Sequence, residues 1–148
     1  YTNIRLASLA GIGFDVRLTT RFIKNVINGD PIRIVGGKQI ISYMDVRDAA
    51  DGIIALLSTE MKDWKPIYNL GVEDFYTIIE VANIVEKIAS QYISLPVRIE
   101  IENKDVSLNL SMDCTQFYDD TSWKPKYNME KIIDTQFKYF KQKGYRTL

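Results

Sequence analysis

The chain has 148 residues, 46% of them apolar, and its 19 lysines and arginines balance 19 aspartates and glutamates. That length can bury one core, and the zero formal charge gives no electrostatic basis for binding nucleic acid or an anionic membrane. A lone Cys114 and the lack of histidine exclude an internal disulfide and a conventional zinc site, and no apolar run approaches the ~20 residues of a bilayer span.

From the N-terminus, Ile4 to Leu9 is a short apolar run with little alternation, as expected of a strand covered on both faces. Leu18, Phe22, Ile23, Val26 and Ile27 recur at helical spacing and predict a helix over 18–28, with Gly29 suited to the left-handed position past its end and Pro31 forbidding continuation. Ile32 to Val35 and Ile40 to Met44 read as strands joined around Gly36-Gly37, where positive φ is permitted. Asp45 or Asp48 can cap the following helix, whose predicted inward face is Val46, Ala49, Ala50, Ile53, Ile54 and Leu57. Pro66 to Leu70 is a third strand.

Thr77-Ile-Ile-Glu80 is a capping box opening a helix with Ile78, Val81, Val85 and Ile88 on one side. Val97 to Glu102 alternates strictly and predicts a strand with one wet face; Ser107 to Met112 alternates more weakly. Asn128 can cap a last helix with Met129, Ile132, Ile133, Phe137 and Phe140 inward and Gly144 as its stop. Strand and helix interleave without repeat or linker, so the class is α/β.

Three motifs carry chemistry by type. Gly11-Ile-Gly13 follows a strand and precedes a helix, but the third glycine of a dinucleotide fingerprint would fall at Val16 and no acidic residue closes a second strand, so no self-contained NAD site is expected. Tyr139 and Lys143 stand one turn apart, as a phenol and the ammonium lowering its pKa would; at the polar end of the final helix they read as a solvated face. Arg17, Arg21, Lys24, Arg33, Lys38 and Arg47 enrich the first third in cations, either as ordinary surface charge or as a phosphate-facing cluster. Tyr43, Tyr68, Tyr76, Tyr92, Trp64 and Trp123 read as core or boundary aromatics, and Cys114 as a small semi-buried residue.

The order of these segments resembles the back half of the extended short-chain dehydrogenases, the NAD-dependent epimerase/dehydratase family. Arg5-Leu-Ala-Ser-Leu-Ala-Gly-Ile12 is similar to the family's Arg-x-x-Asn-x-Tyr-Gly-Pro strand. The 18–28 helix, Gly36-Gly37-Lys38-Gln39, Val46-Arg47-Asp48 and Tyr68-Asn-Leu-Gly71 come in the family's order. Ser122-Trp-Lys-Pro125 stands where the family has Gly-Trp-x-Pro before its final helix. The resemblance covers nearly the whole chain. It implies incomplete Rossmann-type sheet strands plus a small substrate-binding α/β subdomain over 1–148, with the dinucleotide-binding half and its catalytic Tyr/Lys pair absent.

The resemblance also implies that the parent enzyme uses NAD or NADP, that this fragment binds neither, and that it carries no catalytic residue. Its partners would be its own missing half and a sugar nucleotide or other small molecule. By the same resemblance, Leu6 and Ala7 should approach the nicotinamide, and Ser8 stands where the family places a substrate-binding Asn. Arg17, Lys38, Tyr43 and Asp105 complete the candidate substrate residues. The family's two diphosphate arginines align with Ile41 and Glu102, so either nearby cations substitute or the substrate is a non-nucleotide alcohol or carbonyl. A standalone binding module is a third reading. Exposed sheet edges favour self-association, a homodimer included; without a visible signal peptide, the cytoplasm is the default compartment.

Overall fold

Strand and helix alternate as the periodicity predicts over residues 1–144, which the computed structural model describes. In chain order these are β1 (Asn3–Leu6), β2 (Ser8–Ala10), α1 (Leu18–Ile27), β3 (Ile32–Val35), β4 (Ile40–Ile41), β5 (Tyr43–Asp45) and α2 (Val46–Leu57). After a 3₁₀ turn at Met61–Asp63 come β6 (Ile67–Leu70), β7 (Tyr76–Thr77), α3 (Ile78–Ala89), β8 (Ile99–Glu102), α4 (Thr115–Thr121) and α5 (Met129–Gln142).

Among the described residues the strands form four two-stranded ladders: β1 with β6, β2 with β5 and β3 with β8 run parallel, and β4 with β7 antiparallel. The return strand joins the first strand as expected, Tyr68 opposite Ile4. Two strand expectations are corrected. The Ile4–Leu9 run is split at Ala7, its two parts pairing with different strands, and β1 is not covered on both faces, for Leu6 is 44% exposed. β3 and β4 do not pair across Gly36-Gly37. The glycines, at φ +77° and +97°, turn the chain from one ladder into another, and a Cβ on Gly37 would meet Ile79 Cγ1 at 2.6 Å.

Local signals act where the residues put them. α1 ends in a Schellman arrangement, Asp30 N–H donating to the Asn25 carbonyl at 2.8 Å and Gly29 N–H to Val26 at 3.1 Å, with Gly29 at φ +75°. The capping box is reciprocal, Glu80 N–H to Thr77 Oγ1 at 3.2 Å and Thr77 N–H to Glu80 Oε2 at 2.7 Å. Asn128 caps α5 by accepting from the Lys131 amide at 3.0 Å. Of the two carboxylates considered for α2, Asp45 is the cap. Ser122 ends α4 at φ +55°, the left-handed conformation that explains a glycine at this place in the family pattern.

The core has two parts. Phe22, Ile23, Val81, Val85, Ile133 and Phe137 join α1, α3 and α5 to the β3 and β4 strands. Met44, Leu56, Tyr68, Leu70, Phe117 and Trp123 fill the space between the β1–β6 pair, α2 and α4. The predicted inward face of α2 is corrected. Ala49, Gly52 and Leu56 face inward, while Ala50, Ile53, Ile54 and Leu57 are exposed. Small residues let the helix approach closely, since a Cβ on Gly52 would lie 2.8 Å from Leu70 Cδ1.

Candidate functional site

β2 and β5 lie side by side with Ser8 opposite Tyr43, and the chain leaving β2 turns twice before α1 begins. Gly11 at φ +136° and Gly13 at φ +91° permit the first turn, in which the Phe14 amide reaches the Gly11 carbonyl. The second delivers Arg17 as the residue preceding α1. Arg17 offers no side-chain cap, and the first turn of α1 has no acidic residue. The N-terminal end of α1 therefore keeps its partial positive charge, with the Leu18 amide directed at the Tyr43 phenol oxygen.

Arg17 adds a full charge there. Its guanidinium carbon lies 5.9 Å from the centre of the Phe14 ring, its buried Nε has no hydrogen-bond partner, and it joins no ion pair among the described residues. Tyr43 is half-buried beside it. Burial raises the phenol pKa above its ordinary value, while the Leu18 backbone and the Arg17 charge pull it down. The phenol is thus a neutral donor at physiological pH. A helix N-terminus, a guanidinium and a phenol hydroxyl at one place can receive an anion, phosphate above all.

The second group lines a cavity of its own. Lys38 and Asp105 share a cavity of about 420 Å³ with Gly36, Asn103, Lys104 and Val106, open to solvent. Buried Gln39 holds the neighbouring glycine turn, accepting from the Gly37 amide at 2.6 Å and donating to the Val35 carbonyl at 2.8 Å. The cavity has no lining residue in common with the Arg17–Tyr43 group. Leu6 and Ala7 directly precede Ser8 where the chain passes from the β1–β6 to the β2–β5 pair, the Ala7 amide donating to Leu70 at 2.9 Å.

The remaining cations are mostly committed. Arg33 pairs with Glu100, Lys24 with Asp15, and Arg47 grips Asp45 while stacking 3.8 Å from the Tyr127 ring centre. A single phosphate-facing cluster of all six is therefore not formed. Ile41 is 3% exposed in the core, opposite Tyr76, and Glu102 is exposed at the end of β8. Cys114 is buried, more so than expected, and burial followed by the Glu73 and Asp113 charges pushes its thiol up to about 11. Lys143 lies over the Tyr139 ring at 5.7 Å.

The glycine loop lacks the helix–strand packing of a dinucleotide fingerprint. Val16 lies outside α1 and 83% exposed, where the third glycine would have to pack helix against strand, and the Gly11 carbonyl is occupied by Gln136. Sequence reasoning missed Thr19, Thr20 and Gln136, buried polar residues around this loop. Polar residues on the inner faces of α1 and α5 were the available signal.

Residues 1–71 match the sequence model of the NAD dependent epimerase/dehydratase family. Over that stretch, just under half of the chain, the sequence is similar to this family. No curated protein matches the sequence. Solved structures extend the likeness, as one of fold, to nearly the whole chain. UDP-glucuronic acid 4-epimerase from Bacillus cereus, in complex with UDP-glucuronic acid and NAD, superposes with a TM-score of 0.77 at 18% identity, covering 95% of this chain and 45% of that one. UDP-glucose 4-epimerase from Thermotoga maritima, with UDP-glucose, gives 0.74 at 20% identity, covering 97% and 46%. PbgP3 protein from Burkholderia pseudomallei gives 0.77 at 18%, covering 99% and 48%. The chain thus spans less than half the length of these proteins, and at such identities the likeness is one of fold.

Proposed function

We propose that this chain is the substrate-binding portion of an NAD(P)-dependent nucleotide-sugar epimerase, dehydratase or reductase, working in the cytoplasm and inactive without a dinucleotide-binding half. The observation that carries the reading is the unpaired Arg17 at the uncapped N-terminus of α1, beside Tyr43 and Ser8. The fold is that of proteins solved with UDP-sugars and NAD. Arg17 and the first α1 amides hold the diphosphate, Ser8 and Tyr43 fix the sugar, and Lys38 and Asp105 address the nucleoside. Leu6 and Ala7 flank the nicotinamide. NAD or NADP, held by the other half, supplies the hydride chemistry; the residues of this chain bind and orient.

Ile41 favours a second reading. An isoleucine buried in the core cannot contact phosphate, and Glu102 would repel it. A non-nucleotide alcohol or carbonyl is then the substrate. Calorimetric titration of the chain with UDP separates the two. The nucleotide reading expects saturable binding that Arg17→Ala weakens by about tenfold or more, the worth of one charge-assisted contact. Heat-silent titration at millimolar UDP moves the assignment to the non-nucleotide substrate.

A further inference from the structure

The two turns between β2 and α1 are held from outside by the last helix. Gln136 projects inward from α5 with 1% of its surface exposed. Its Nε2 donates to the Gly11 carbonyl at 3.1 Å and to Thr20 Oγ1 at 2.8 Å. Thr20, itself 1% exposed, donates through Oγ1 to the Phe14 carbonyl at 3.0 Å. Gly11 and Phe14 are the residues whose carbonyls close the two successive turns, accepting from the Phe14 and Arg17 amides at 3.4 and 3.2 Å. Each turn thus has its closing acceptor fixed a second time.

Stability alone does not account for a glutamine here. Its Oε1 is buried without a partner, a desolvation cost that a methionine of similar length would avoid. What the amide adds is location. A loop with two positive-φ glycines has little rigidity of its own, and the carbonyls that Gln136 and Thr20 grip close the two turns leading to Arg17. We propose that Gln136 and Thr20 are positioning residues that set where Arg17 and the α1 N-terminus stand. The inference rests on the phosphate reading of that site for its functional meaning, though not for its geometry.

The test uses three variants of the whole chain. Thr20→Val replaces the hydroxyl with a methyl of equal volume, Thr20→Ser keeps the hydroxyl, and Gln136→Met removes both amide bonds. Amide hydrogen exchange at residues 14–18 and the affinity for UDP are measured on each. Faster exchange at these amides is expected in Thr20→Val and Gln136→Met, with UDP binding about tenfold weaker, and Thr20→Ser should restore both. Should Gln136→Met fail to fold, the valine and serine pair decides. Unchanged exchange in Thr20→Val, or equal loss in Thr20→Ser, overturns the proposal. Faster exchange in a chain that never binds UDP upholds the latch and removes the phosphate reading instead.

Discussion

Asp45 and Asp48 stand three residues apart at the opening of α2 and take different roles. Asp45 caps the helix through the Arg47 amide at 2.9 Å and is gripped by the same arginine's guanidinium. Asp48 is fully buried and accepts the Lys126 and Tyr127 amides at 3.0 and 2.9 Å, tying α2 to the segment that leads into α5. Asp48→Asn puts an amide donor against two backbone donors, and the loss expected in urea denaturation is about 2–3 kcal/mol. The same change at exposed Asp119 should leave the midpoint unmoved. Sequence alone leaves Asp45 or Asp48 as the cap, because capping depends on neighbours in the chain. The partners of Asp48 lie nearly eighty residues away, and no local pattern contains them. Ile41 shows the same limit in reverse: its type was plain, but its place in the core is a tertiary fact.

Among elements, helices with strong local signals were legible almost to the residue. α1, α3 and α5 carry a glycine stop, a capping box and an asparagine cap, all of which act within one turn. α2 has apolar residues on two faces, so periodicity cannot choose between them; the close approach of Gly52 to Leu70 chooses. The split of the first strand at Ala7 was equally hidden, since two partner strands can each take a piece of one apolar run. The contact between α5 and the turn after α3 makes a prediction about pH. Tyr92 donates to Asp134 and stacks on Phe137 with centroids 5.3 Å apart. Hydrogen bonds from Lys138 and Tyr92 hold Asp134 below its ordinary 3.8, so this stabilisation is present above about that pH and is lost as pH falls through the lower folded value. Burial and then Asp134 push Tyr92 from 10.0 up to about 12, so its contribution is intact below pH 10 and is lost as pH rises towards 12. Tyr92→Phe should flatten the alkaline limb of a urea-midpoint profile and Asp134→Asn the acid limb. Profiles parallel to the parent's would show that this contact does not set the pH dependence.

For the molecule as a whole, the α/β class, the parallel return of β6 to β1 and most of the core could be read in advance, because they follow from alternation of periodicities and from family-like segment order. For the candidate site the sequence named residues but not how the fold distributes them. Arg17 and Tyr43 meet at the α1 N-terminus with Ser8 opposite Tyr43 in the ladder, whereas Lys38 and Asp105 share a cavity. Among the described residues no helix is long and apolar enough to cross a membrane. The functional proposal stands or falls on whether a nucleotide sugar is held by its diphosphate at the N-terminus of α1. A ¹⁵N-resolved titration of the chain with UDP-glucose decides this. Saturable shifts should centre on the Arg17, Leu18, Thr19 and Thr20 amides and reach Tyr43. Shifts confined to Lys38 and residues 103–106, or none at millimolar ligand, would contradict it.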